Sequence, residues 1–140
     1  MAVEEGKKAP AFTLTDESGE KVRLSELAGN WVVLYFYPRD DTPGCTVEAC
    51  DFTSGLKSFE QLGAKVYGCS PDSAESHQKF IKKYKLKVKL LSDPSRKAME
   101  KYGAWGEKVN YGKRYEGLIR STFLIDPDGT VAEALYNVRA

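Results

Sequence analysis

Trp31-Val-Val-Leu-Tyr-Phe-Tyr-Pro-Arg-Asp-Asp-Thr-Pro-Gly-Cys-Thr-Val-Glu-Ala-Cys50 is the stretch that organises this chain. Trp31 to Tyr37 is almost wholly aromatic or β-branched, the composition of a buried strand. Pro38 breaks the run because it has no N–H to extend a ladder. After a short polar loop, Pro43-Gly44 opens a predicted helix with Cys45 in its first turn. The amides of a first turn have no intrahelical acceptor, and the positive end of the helix dipole lies there. Both favour thiolate over thiol, and the thiolate is the nucleophile. The placement therefore predicts a reactive cysteine. Thr42 sets a hydroxyl one helical turn before the sulfur, placed to donate to the thiolate or to a substrate oxygen.

Working outward, the helix is expected from about Pro43 to Leu62, weakened at Gly55 and ended by Gly63. On the N-terminal side, Phe12 and Leu14 alternate with threonines, and Val22 and Leu24 with Lys21 and Arg23. The turn-rich Asp16-Glu-Ser-Gly-Glu20 between them predicts a β-hairpin. On the C-terminal side, Lys65–Cys69 reads as a strand, and Ser70-Pro-Asp-Ser73 caps a helix through about Tyr84. Leu86–Leu91 reads as a short strand. Ser92-Asp-Pro94 caps a short helix through about Tyr102. Thr122–Ile125, the turn Asp126-Pro-Asp-Gly129 and Val131–Tyr136 form an antiparallel pair. Strands alternating with helices argue for α/β.

The chain has 140 residues, the size of a single domain spanning 1–140, and 41% of them are hydrophobic, enough for a core. The net charge of +1 gives no global field favouring nucleic acid or an anionic membrane. No apolar stretch approaches the roughly 20 residues of a membrane helix. The N-terminal residues lack a signal-peptide apolar segment, so the expected location is the cytoplasm. Three cysteines, an odd number, point to catalytic or redox chemistry more than to a structural disulfide framework. Cys45 and Cys50 with the single His77 do not have zinc spacing, and His77 is expected to be an exposed helix residue. No phosphate loop or flavin motif appears, so no cofactor is implied.

The pattern Pro38-x-x-x-Thr42-x-x-Cys45 resembles the active-site motif of the peroxiredoxins, and Tyr37 through Cys50 is similar to their bacterioferritin-comigratory, or Q-type, subfamily. The likeness runs from Gly6-Lys-Lys-Ala-Pro-Ala-Phe-Thr-Leu14 to Ser121-Thr-Phe-Leu-Ile-Asp-Pro-Asp-Gly129. It implies a thioredoxin-like fold: a central mixed sheet flanked by helices, with an N-terminal hairpin extension. It also implies a monomeric peroxidase acting on hydrogen peroxide and organic hydroperoxides, with thioredoxin or a glutaredoxin-like dithiol protein as reductant. Members commonly continue into a C-terminal helix. This chain stops shortly after Tyr136-Asn-Val-Arg139, and that helix is expected to be absent.

The resemblance also assigns roles. Cys45 is the catalytic thiol that becomes a sulfenic acid; read locally, it is equally a buried small hydrophobe. Thr42, Gly44 and Arg120 are implied at the substrate, and Pro38 both ends the strand and shields the site. Arg120, in Arg120-Ser-Thr-Phe-Leu-Ile125, reads locally as a surface charge. The family pattern instead places its guanidinium near Cys45, where it stabilises the thiolate and charge developing on oxygen. Glu48 is either a solvated helix carboxylate or a holder of Arg120 or Arg39. Cys50 is implied as the resolving cysteine, with a packed helix-face thiol as the alternative. Residues five apart in an intact helix have Cα atoms roughly 8–9 Å apart, beyond the roughly 7 Å limit of a disulfide. A Cys45–Cys50 bond therefore requires the helix start to unwind.

Cys69 is expected to be a buried strand thiol; the alternatives are a partner competing with Cys50 and an extra oxidation site. The basic run Lys79, Lys82, Lys83, Lys85, Lys87 and Lys89 reads as a solvated helix face followed by an edge strand protected by lysines. Two other activities fit a cysteine pair. One is a general disulfide oxidoreductase, which usually carries Cys-x-x-Cys, absent here. The other is a redox-switched interaction protein. Rapid peroxide turnover with a recycling thiol separates a catalyst from the switch, and failure to reduce insulin-type disulfides argues against the oxidoreductase.

Overall fold

The computed structural model describes residues 3–110 and 112–136, so the expectation for the C-terminal end beyond Tyr136 lies outside the described residues. The predicted hairpin forms from β1 (Thr13–Asp16) and β2 (Lys21–Arg23), with Leu14 opposite Val22. Its turn is set by Asp16, whose Oδ1 accepts from the Ser18 and Glu20 amides at 2.8 and 3.0 Å. A 3-10 turn (Leu24–Leu27) leads to β3 (Trp31–Phe36). Next come α1 (Pro43–Gln61), unbroken through Gly55, and β4 (Ala64–Ser70). Helix α2 (Ala74–Tyr84) is capped by the Ser73 hydroxyl, which accepts from the Ser76 amide at 3.1 Å. It ends at Lys85, in the left-handed region. Then follow β5 (Lys89–Ser92), α3 (Lys97–Lys101), β6 (Trp105–Asn110), β7 (Lys113–Leu118), β8 (Ser121–Ile125) and β9 (Val131–Tyr136).

Seven strands make one mixed sheet in the order β2-β1-β5-β4-β3-β8-β9. β3, β4 and β5 run parallel, while β1, β8 and β9 join antiparallel. Alternate residues of β3 feed opposite faces. Val33, Tyr35 and Tyr37 pack under α1 and α2 with Ala49, Phe80 and Leu90, whereas Val32, Leu34 and Phe36 pack with α3 and the 3-10 turn through Met99, Tyr102 and Leu27. With helices on both sides, β3 is buried on both faces, as its unbroken apolar run requires.

Close packing leaves one position for glycine alone. A Cβ on Gly68 of β4 would lie 2.6 Å from Tyr35 Cζ and 2.9 Å from Leu90 Cδ2. The Tyr35 ring occupies that space, stacked on Phe52 with centroids 4.5 Å apart.

One of the expectations for the fold is corrected. β5 is not an edge: it pairs with β4 on one side and, over two rungs, with β1 on the other, so the N-terminal hairpin covers the strand that lysines were expected to guard. The lysines of the run are nonetheless exposed. The short helix expected after Asp93 runs from Lys97 to Lys101, following Arg96 at φ +63, and Asp93 Oδ2 accepts from the Met99 amide at 2.9 Å. The hairpin β6–β7, registered from Trp105↔Leu118 to Asn110↔Lys113, has no counterpart in the sequence reading. It is fixed to the body partly by the Arg96 guanidinium over the Trp105 ring, 4.5 Å from its centroid.

Candidate active site

Tyr37 still donates its amide to the Cys69 carbonyl at 3.0 Å, but the chain then turns away from the sheet at Pro38, which is exposed. Asp41 takes φ +59, and helix α1 starts with Thr42 as its cap residue: the Thr46 amide donates to the Thr42 carbonyl at 2.8 Å. Pro43 occupies the first helical position, where a missing N–H costs nothing. Gly44 and Cys45 therefore lie in the turn whose amides have no intrahelical acceptor.

Cys45 is buried, 1% exposed. Arg120, in the short link between β7 and β8, reaches it: Nη2 lies 3.0 Å from the sulfur, and Nη1 donates to Glu48 Oε1 at 2.7 Å. Glu48 is thus paired with Arg120, while Arg39 is exposed and uses its carbonyl to accept from the Thr42 hydroxyl at 3.0 Å. Burial pushes the Glu48 carboxyl up, against the opposing pull of the Arg120 charge and hydrogen bond. The structure therefore gathers Cys45, Glu48 and Arg120 at one helix start, with Thr42 and Gly44 beside them in the chain. A fixed cation against a buried sulfur suits a step in which negative charge passes from sulfur to oxygen.

Cys50 is half-buried on the same unbroken helix, packed against the core cluster that holds Tyr35, Cys45 and Ala49, and all three thiols are free. Cys69 lies across the sheet from both, in the core cluster of Phe36, Leu91 and Met99. Burial pushes its thiol well above the usual range, and the Asp93 charge adds to the shift. The expected buried strand thiol is what is found.

The reading of His77 is overturned. It is fully buried on the inner face of α2, Nδ1 2.7 Å from Asp40 Oδ2 and Nε2 3.0 Å from the Leu91 carbonyl. The signal was present: His77, Phe80, Ile81 and Tyr84 follow the i, i+3, i+4, i+7 spacing of one helix face. Asp40, Asp72 and His77 bring ligand-type atoms within 4.8 Å of one another. Both Asp40 oxygens, Asp72 Oδ2 and both ring nitrogens are already engaged by protein partners.

Comparison with known proteins decides the family. The family model described as AhpC/TSA matches residues 5–134. The chain belongs to the AhpC/TSA family. Among its relatives, peroxiredoxin Bcp of Bacillus subtilis (strain 168) is 48% identical over 139 residues, covering 99% of this chain and 88% of the relative. Peroxiredoxin Bcp of Escherichia coli (strain K12) is 43% identical over 126 residues, covering 90% and 81%. Among solved structures, the bacterioferritin comigratory protein of Xanthomonas campestris superposes with TM-score 0.89 at 38% identity, covering 96% of this chain and 88% of that one. A Xylella fastidiosa PrxQ mutant gives TM-score 0.91 at 34% identity, covering 99% and 88%. The fold is thus thioredoxin-like, and this AhpC/TSA member is a peroxiredoxin: an enzyme that reduces peroxides through a thiol, with a thiol reductant to restore it. Among the described residues, no helix is long and apolar enough to cross a membrane.

Proposed function

We propose that Cys45 is the peroxidatic thiol, that Arg120, Thr42 and the Gly44 backbone orient the peroxide, and that Cys50 resolves the product. The contact of Arg120 with the Cys45 sulfur at 3.0 Å carries this reading. The sulfur attacks the terminal peroxide oxygen. An S–O bond forms, the O–O bond breaks, and the leaving alkoxide takes a proton and departs as alcohol, or as water from hydrogen peroxide. Arg120 stabilises charge as it moves from sulfur to oxygen, and Glu48 holds the guanidinium in place. Thr42, whose hydroxyl donates to Arg39 in this structure, turns it to the substrate oxygen when peroxide binds. Pro38 limits solvent access to that oxygen.

The Cys45 sulfenic acid then meets Cys50. The S–S bond forms, the S–O bond breaks and water leaves. Both sulfurs belong to the continuous α1, so this step requires its first turns to unwind. A dithiol protein of the thioredoxin or glutaredoxin type takes over the disulfide and returns both thiols. The substrates are hydrogen peroxide and organic hydroperoxides. Alkyl peroxide reduction is the activity named for the Xanthomonas campestris relative and supports the second class. The enzyme works as a cytoplasmic monomer.

The test is peroxide consumption with a thioredoxin recycling system. Cys45→Ser is expected to abolish turnover. Cys50→Ser is expected to consume about one peroxide per chain and then stop. Full activity in Cys45→Ser would remove the assignment.

A further inference from the structure

We propose that the loop joining β3 to α1 is a latch closed on α2, and that its grip sets how readily the start of α1 unwinds. The inference rests on Cys50 resolving Cys45, as proposed above.

Two consecutive carboxylates make the grip. Asp40 holds the N-terminal part of α2: its Oδ2 accepts from the Ser76 hydroxyl at 2.8 Å and shares a proton with His77 Nδ1 at 2.7 Å. Its Oδ1 accepts from the Tyr37 hydroxyl at 2.5 Å, and its amide donates to Asp72 Oδ2 at 2.7 Å. Through His77 Nε2 the hold extends to the Leu91 carbonyl of β5. Asp41 holds the C-terminal end of α2: its Oδ1 accepts from the Tyr84 hydroxyl at 2.6 Å and its Oδ2 from Lys83 Nζ at 2.8 Å. Asp41 itself stands at φ +59, a left-handed conformation uncommon outside glycine, asparagine and aspartate. Thr42 and the helix start follow directly.

These contacts mark the upstream limit of any unwinding. The downstream limit is Phe52, stacked on Tyr35 at 4.5 Å. The segment between them contains both Cys45 and Cys50, so its ends stay near each other while the helix between them opens. The Cys45 sulfur itself is held by Arg120, at 3.0 Å. The gripping side chains act on a conformational balance: peroxide reacts with the assembled site, and disulfide formation needs the opened one. Loosening the latch shifts population toward the opened form. It therefore accelerates resolution, whereas loss of a merely structural contact would slow every step.

Tyr84→Phe and Asp41→Ala loosen the exposed grip, and His77→Gln the buried one. The full chain is mixed with one equivalent of hydrogen peroxide, quenched with an alkylating reagent at intervals, and the Cys45–Cys50 disulfide is followed by mass. Disulfide formation roughly two- to fivefold faster is expected in the two exposed variants, with the first oxidation of Cys45 little changed. Under excess peroxide, less sulfinic acid is expected, since the sulfenic acid is consumed sooner. A disulfide rate unchanged or slower in both exposed variants overturns the latch. If His77→Gln does not fold, those two variants still decide. If the parent chain forms no Cys45–Cys50 disulfide, the resolving role fails and the latch falls with it. That result is distinct from a parent that forms the disulfide and variants that match its rate.

Discussion

One guanidinium holds both Cys45 and Glu48: Arg120 places Nη2 3.0 Å from the sulfur and Nη1 2.7 Å from Oε1. The two partners sit three residues apart on α1, so they share a helix face, and the planar fork spans them. A lysine ammonium is a single point of charge and does not serve two partners in fixed geometry. Arg120→Lys is expected to lower the bimolecular rate of Cys45 oxidation by roughly 10²-fold, the usual cost of one lost transition-state donor. Stopped-flow oxidation with hydrogen peroxide measures it. A loss under threefold would contradict the role given to Arg120.

Glu48 predicts a pH dependence whose sign is fixed. Burial raises its folded-state pKa above the ordinary carboxylate value even with Arg120 opposing. The folded chain then binds this proton more tightly than the unfolded chain. Its contribution favours folding at low pH and is lost as pH rises through the raised pKa. Glu48→Gln removes the ionisation, so stability against pH should be flatter just above the ordinary carboxylate range. Urea midpoints measured across that range test it, and parallel profiles for parent and variant would refute it.

Gly68→Ala should destabilise without touching the chemistry directly. The new methyl would lie 2.6 Å from Tyr35 Cζ and 2.7 Å from its hydroxyl oxygen. Overpacking of this kind costs about 1–3 kcal/mol and lowers Tm by roughly 3–10 °C. Thermal unfolding followed by circular dichroism gives the answer, and an unchanged Tm would mean that the ring moves aside freely.

Cys69 should be silent in the native chain. It is fully buried, and its thiol is pushed well above the usual range by that burial. Alkylation under native conditions is expected to modify the half-buried Cys50 and spare Cys69, with all three thiols labelled after denaturation. Native labelling of Cys69 at the rate of Cys50 would show that its side of the sheet opens readily.

The chain declares some of this arrangement and conceals the rest, for physical reasons. The strand at Trp31, the helix start at Pro43 and the turn at Asp126 are set by neighbours in sequence, and they stand where the residues place them. Arg120 meets Cys45 across a separation of 75 residues, which no local pattern reports; only the family likeness pointed to it. Strand order is equally non-local: nothing in Lys89–Ser92 says that β1 will add beside it. His77 is a different case. Its spacing with Phe80 and Tyr84 marked the buried face, but a lone titratable residue among lysines suggests solvent until the Asp40 carboxylate is seen opposite it. The β6–β7 hairpin, with Gly106, Glu107 and Lys108 in its first strand, lacks the alternation that betrays a strand.

Placing Cys69 on the other side of the sheet from Cys45 and Cys50 limits what oxidation can make of this chain. Three thiols permit three internal pairings, and in the folded chain the sheet stands between Cys69 and both of the others. With Cys50 as the proposed resolver of Cys45, the oxidised chain has a single internal covalent isomer. On that reading it needs no isomerase to recover from scrambling, and its electron capacity is one disulfide per cycle.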